Sequence, residues 1–139
     1  MKIRKARGED IRECVALSHI PEFPSLQHKN NKEMVKYFKE YISSGFILVA
    51  EENNKILGFI GGERMLGGVV WIDTLTVKNS ERGKGVGKLL LNEMKKILKK
   101  QKVKSIYLMA PNFNKRTVNF YKSAGLLKGK EFVEFSQDL

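Results

Sequence analysis

Between Val77 and Leu90 the chain changes from a strand pattern to a helix pattern, and the turn between them narrows the possible folds more than any other feature. Before the turn, residues 69–77 are rich in β-branched and aromatic side chains. After it, Val86, Leu90, Met94 and Ile97 recur at helical spacing, widened by Leu89, Leu91 and Leu98. The junction reads Arg82-Gly83-Lys84-Gly85-Val86-Gly87-Lys88. Glycines at alternate positions reach backbone conformations that a Cβ would obstruct, so several amide N–H groups can point into one concavity. The first amides of the helix and its dipole favour negative charge at the same place. Strand, anion-binding turn and helix in this order place the chain in the α/β class.

The flanking segments extend that reading. Residues 2–6 read as a first strand, and Gly8-Glu9-Asp10 opens a helix to about residue 20. Pro21 and Pro24 bracket an irregular connection, Pro21-Glu22-Phe23-Pro24-Ser25-Leu26. A second helix over 32–43 repeats Met34, Tyr37, Phe38, Tyr41 and Ile42 on one face. Strands at 46–51, 56–65 and 69–77 are separated by turns at Asn53-Asn54-Lys55 and Gly67-Gly68, an antiparallel meander feeding the glycine turn. Beyond the central helix, 103–110 reads as a strand ended by Pro111, and 114–124 as a helix capped by Gly125. Residues 126–139 leave room for one short strand and one longer one, with Phe132, Val133 and Phe135 as candidate core. No repeat or linker divides the chain, so residues 1–139 are expected to form a single domain.

Composition excludes several functions. The formal net charge is +11, yet 20 of the 26 basic residues are lysines spread through the chain, and arginine occurs only six times. That describes a lysine-biased surface better than a nucleic-acid-binding face, which would interleave exposed aromatics with its cations. Here Tyr37, Phe38, Tyr41 and Phe46 have core-like spacing. No apolar run approaches the roughly 18 residues that cross a bilayer, and the alternating first residues are not a secretory signal. Cys14 is the sole cysteine, which rules out an intrachain disulfide and fits a cytoplasmic protein. Beside Ile11, Val15 and Leu17 it reads as a buried helix residue rather than a reactive thiol. One cysteine and the isolated His19 and His28 do not make a common metal-ligand set, so no metal is expected.

Which anion the turn holds depends on its pattern. The glycine spacing is not the dinucleotide fingerprint, and no acidic residue follows about 20 positions on. No Gly-Lys-Ser/Thr triplet ends it, as a P-loop requires. Arg82-Gly83-Lys84-Gly85-Val86-Gly87 instead resembles the Arg/Gln-x-x-Gly-x-Gly/Ala signature of the GNAT superfamily of N-acetyltransferases. Ile72-Asp73-Thr74-Leu75-Thr76-Val77 is similar to the strand that precedes that signature, and Asn114-Lys115-Arg116-Thr117-Val118-Asn119-Phe120-Tyr121 to the family's Asn-x-x-small-x-x-x-Tyr helix. Thr117 stands where the family more often has alanine, and Leu126 follows Gly125 where phenylalanine is common.

The resemblance implies a central mixed, mostly antiparallel twisted sheet of about six to seven strands, flanked by about four helices, with splayed parallel strands forming an acyl-coenzyme A cleft. It implies acetyl-coenzyme A as co-substrate and transfer to an amine by direct attack in a ternary complex. The amides of Arg82, Gly83, Lys84, Gly85, Val86 and Gly87 would take the pyrophosphate, with Arg82, Lys84 and Lys88 adding attraction. Leu75 and Val77 would pair with the pantetheine arm, the Val77 N–H would polarise the thioester carbonyl, and Asn114 and Tyr121 would complete the cofactor site. Tyr121 would also donate a proton to the departing thiolate. Dimers are common in the family.

Attack on a thioester needs a neutral amine, hence a proton acceptor. Asp73 is the best-placed carboxylate, between Trp71 and Leu75 in the strand before the turn; Glu51, Glu52 and Glu63 are weaker candidates near strand ends. Two rival functions share part of the pattern. A module that holds coenzyme A without transferring the acyl group needs the turn but no base, and a nucleic-acid-binding protein would exploit the net charge. A protein N-terminus, a lysine, an amino acid and a small amine all remain as acceptors, while the positive surface disfavours a polycation.

Overall fold

The computed structural model describes residues 1–19, 30–137 and 139. The chain forms two compact units, Met1–Leu108 and Met109–Leu139. The proline-bracketed segment 21–26 and His28 lie outside the described residues.

The first unit is organised by a five-stranded sheet in the order β1-β2-β3-β4-β5. Strand β1 (Lys2–Lys5) leads through a tight turn at Gly8–Asp10 into helix α1 (Ile11–Ser18), and α2 (Asn31–Ser44) follows. A reciprocal pair starts α2: the Glu33 N–H donates to Asn30 Oδ1 and the Asn30 N–H to Glu33 Oε2, both at 3.0 Å. Strands β2 (Phe46–Glu52), β3 (Lys55–Met65) and β4 (Val69–Val77) form the meander, helix α3 (Val86–Lys100) follows the glycine turn, and β5 (Ser105–Tyr107) closes the unit. The first four strands pair antiparallel and β5 lies parallel to β4.

Alternation along the strands divides the core between two faces. Ile47, Val49, Ile56 and Phe59 pack against Cys14 and Val15 of α1 and Met34, Phe38 and Tyr41 of α2. The other face presents Leu48, Ile60, Val70 and Ile72, and α3 turns Val86, Leu90, Leu91, Met94 and Leu98 inward. At the far edge, Arg4 grips Asp10 through both terminal nitrogens, at 2.7 and 2.8 Å, and donates from Nε to Glu51 at 2.7 Å. This ties β1, the start of α1 and β2 together.

One irregularity shapes the sheet. Gly61 pairs with Thr74 and Gly62 with Ile72, so Asp73 is an extra residue in β4, a β-bulge. Thr74 and Thr76 lie opposite Gly61 and Phe59, on the face that α2 covers. Trp71, before the bulge, lies opposite Glu63. The bulge resets the alternation, so Asp73 and Thr74 both come to the α2 face.

In the second unit, α4 (Lys115–Ser123) is capped at its start by Asn114 Oδ1, which accepts from the Thr117 N–H at 3.1 Å. Gly125, at φ +83°, closes the helix by donating its N–H to Lys122 O.

The C-terminal end departs from expectation. Among the described residues five strands stand where six to seven were expected, and those beyond α4 form none. Phe132, Val133 and Phe135, expected in the core, are 78, 78 and 92% exposed. Lys128 pairs locally with Glu131 at 3.0 Å, and among the described residues no ladder bond orders the segment as a strand. The strand expected over 103–110 is shortened to Ser105–Tyr107.

Candidate active site

The site begins at the edge of β4. Its parallel pairing with β5 covers only Val69, Val70 and Trp71, while β4 runs on to Val77. The Lys78 N–H donates to Leu57 O at 2.8 Å. By the two-residue alternation of an antiparallel ladder, Thr76 turns its backbone groups toward β3, and Leu75 and Val77 turn theirs to the opposite edge. There the Val77 carbonyl accepts from Arg82 Nε at 3.1 Å. Among the described residues of this unit, the outer edge of β4 at Leu75 and Val77 thus runs without a paired strand straight into the turn.

Gly83 and Gly85 both take left-handed φ, +82° and +85°, and a Cβ at either would meet no atom within 4 Å. They are glycines for the backbone conformation, not for lack of room. Helix α3 begins at Val86, and its first internal bond runs from the Leu89 N–H to Gly85 O at 3.0 Å. The amides of Val86, Gly87 and Lys88 therefore belong to the open first turn, where an anion is favoured. Lys84 lies across from Glu81 at 3.1 Å, and Lys88 is exposed. The residues present fit an anionic pyrophosphate.

Behind the edge lies an acidic and phenolic cluster. The Tyr41 hydroxyl donates to Asp73 Oδ1, and the Tyr37 hydroxyl approaches Oδ2 at 3.4 Å. The two rings stack at 5.6 Å. Burial pushes the Asp73 carboxyl above the ordinary aspartate range, while the two phenols and backbone N–H groups pull it back down. Burial and the Asp73 charge push both phenols up, so they remain donors. Tyr41 reaches Asp73 by lying in a slot between glycines: a Cβ on Gly45 would meet its Cε2 at 2.8 Å, and one on Gly61 would strike the ring.

The hydroxyls of Thr74 and Thr76, also on β4, are buried and find no hydrogen-bond partner among the described residues. Tyr121 of the second unit is half-buried, stacks edge-on with Phe120 at 5.1 Å, and has its phenol pushed up to about 12 by burial.

The remaining carboxylates have structural partners or positions. Glu51 pairs with Arg4 and Glu52 with the N-terminal amine at 3.1 Å, whereas Glu63 is exposed opposite Trp71. His19 shares a 2.9 Å hydrogen bond with Asn31 Oδ1 at the surface. Cys14 is 1% exposed and its thiol is pushed up to about 12 by burial, so it is protonated and inert. Sequence reasoning assigned Tyr37 and Tyr41 to the core face of α2 and missed their contact with Asp73. The available signal was chemical: a buried phenol needs an acceptor, which a phenylalanine at the same place would not. Among the described residues no group of three or more acidic, histidine or cysteine side chains is arranged to hold a metal, and no helix is long and apolar enough to cross a membrane.

Residues 12–126 match the model of the acetyltransferase (GNAT) family. The chain belongs to that family. A mutant protein from Bacillus halodurans is 25% identical, with a TM-score of 0.78 and 99% of each chain covered. An aminoglycoside acetyltransferase from an uncultured soil metagenomic sample, crystallised with sisomicin, is 17% identical with a TM-score of 0.80, covering 99% of this chain and 95% of that one. An aminoglycoside antibiotic 6'-N-acetyltransferase from Acinetobacter haemolyticus is 15% identical with a TM-score of 0.81, covering 100% of this chain and 99% of that one. These structures share the fold.

Proposed function

We propose that this protein transfers an acetyl group from acetyl-coenzyme A to a primary amine, by direct attack in a ternary complex. The observation that carries the reading is the continuity of the Leu75–Val77 edge with the Arg82–Gly87 turn, the edge starting two residues past the Asp73 bulge. In this reading the amides from Arg82 to Gly87 and the charges of Arg82, Lys84 and Lys88 bind the pyrophosphate. Leu75 and Val77 offer backbone groups to the pantetheine arm, and the Val77 N–H stabilises negative charge on the thioester oxygen. When bound, the cofactor supplies an activated acetyl thioester.

Asp73 accepts the proton of the incoming ammonium, directly or through a water, and its raised pKa brings it nearer that task. Tyr121 donates to the departing sulfur; its phenol is protonated across the physiological range. Asn114 already caps α4 through Oδ1, so its amide nitrogen is the group assigned to the cofactor. The whole of residues 1–139 acts as one acetyltransferase domain of the cytoplasm. Asp73 and Glu63 give this part of a +11 chain a local acidic character that suits an ammonium.

The test is acetyl-coenzyme A with a panel of amines: an amino acid, a peptide N-terminus, a lysine peptide and an aminoglycoside, followed by thiol release and product mass. Acetylated product from any of them supports transfer. Tight coenzyme A binding with no product across the panel would replace the reading with a coenzyme A-binding module.

A further inference from the structure

The geometry points to Tyr41 as a positioning residue for Asp73: its hydroxyl, held by the Gly45–Gly61 slot, fixes Oδ1 of the carboxylate and leaves Oδ2 to meet the amine. The inference rests on the reading of Asp73 as the base. The two tyrosines differ in how firmly they hold the carboxylate. Tyr41 is 3% exposed, with Gly45 at the end of α2 and Gly61 on β3 flanking its ring. Its hydroxyl donates to Oδ1. Tyr37, one helical turn earlier, is half-buried and its hydroxyl stands 3.4 Å from Oδ2, beyond good hydrogen-bond length. An incoming amine can displace Tyr37 from Oδ2 without disturbing Oδ1.

Without such a hold, Asp73 would be poorly directed. It is the extra residue of a bulge, where the ladder does not fix the side chain's direction. The ionisable groups that face it are Tyr37 and Tyr41 from α2, while Glu63 on β3 adds negative charge felt by both phenols. On β4 itself, the backbone N–H groups of Asp73 and Thr74 favour the charged carboxylate. Tyr41 stays protonated beside the charged carboxylate, because losing its proton would set two anions together in a buried place. It therefore donates throughout the working pH range.

Replacing Tyr41 by Phe tests this, read by the titration of the Asp73 carboxyl carbon in NMR and by the pH profile of kcat/KM. Removing a donor to the charged form raises the carboxyl pKa. The expected result is an upward shift of about one pH unit in both midpoints, a tenfold loss on the acid side, with KM for acetyl-coenzyme A unchanged. Tyr37→Phe should shift both by less. A Tyr41→Phe carboxyl that titrates as in the wild type overturns the inference. If Tyr41→Phe does not fold, a difluorotyrosine at position 41 keeps the ring and strengthens the donor; the midpoint must then move down, and an unmoved midpoint overturns the inference. Full activity in Asp73→Asn would remove the base reading instead, while the NMR titration would still decide whether Tyr41 holds the carboxylate.

Discussion

Arg82 Nε donates to the carbonyl oxygen of Val77 at 3.1 Å, so the first residue of the glycine turn is tied to the last residue of β4. The bond fixes where the guanidinium sits relative to the strand edge, in a way that a lysine's single point charge does not reproduce. Arg82→Ala should weaken coenzyme A binding by about tenfold, or about 1.4 kcal/mol, measured by calorimetry. Lys84 is exposed and pairs only across the surface with Glu81, so Lys84→Ala should change affinity by less than about threefold. Equal effects from the two would show that charge alone, not the tie to Val77, governs binding.

Gly85 separates conformational strain from steric conflict. Its φ of +85° lies where a side chain is strained, yet the space around a Cβ there is open. Gly85→Ala should therefore cost about 1–2 kcal/mol in urea unfolding, and Gly85→Asn distinctly less, since asparagine tolerates the left-handed region. An alanine variant as stable as the wild type would mean that the turn relaxes to another conformation.

The meander was legible because its turns carry their own chemistry. Asn53 and Asn54 occupy left-handed φ of 50° and 60°, and Gly67 and Gly68 stand at +76° and +78°. The bulge at Asp73 was not legible, because register belongs to two strands at once and Gly61-Gly62 does not announce which residue opposite is extra. Nor does the Leu75–Val77 edge leave a mark in side chains, since the groups it presents are backbone. The apolar character of Phe132, Val133 and Phe135 was plain, but hydrophobicity states a preference for burial without supplying a paired edge. Tyr37 and Tyr41 were placed on the correct face of their helix. Their partner was hidden because Asp73 reaches that face through the bulge.

Asp10 contributes stability that acid removes. It is 4% exposed, and Arg4 holds its carboxyl below the ordinary aspartate range. In the unfolded chain Asp10 has its ordinary pKa, so its contribution is full above that value and is lost as pH falls through the lower folded value. Asp10→Asn should cost about 1–3 kcal/mol at pH 7 by removing one of the two carboxylates that hold Arg4. The gap between wild type and variant should narrow on acidification. A gap that stays constant with pH would remove Asp10 from the acid transition.

Tyr121 is assigned to the thiolate side of the reaction. Its phenol, pushed up to about 12, keeps its proton at any pH the protein would meet in a cell. Tyr121→Phe should lower turnover by about 10²–10⁴ while coenzyme A binding by calorimetry stays as in the wild type. Unchanged turnover would exclude Tyr121 from proton transfer.

Asp73 should reveal its role by opposing stability to activity. Burial raises its folded pKa above the unfolded one, so the folded state carries a penalty that appears as pH rises through that window. Asparagine keeps the shape, accepts from Tyr41 and donates to Tyr37, but carries no charge to desolvate. Asp73→Asn should therefore melt at a higher Tm than the wild type at pH 7, with the difference vanishing below the ordinary aspartate range, where both side chains are neutral. Its turnover should fall by about 10²–10⁴ for loss of the base. A variant that is both less stable and fully active would identify Asp73 as a structural anchor for α2, with proton removal left to another group.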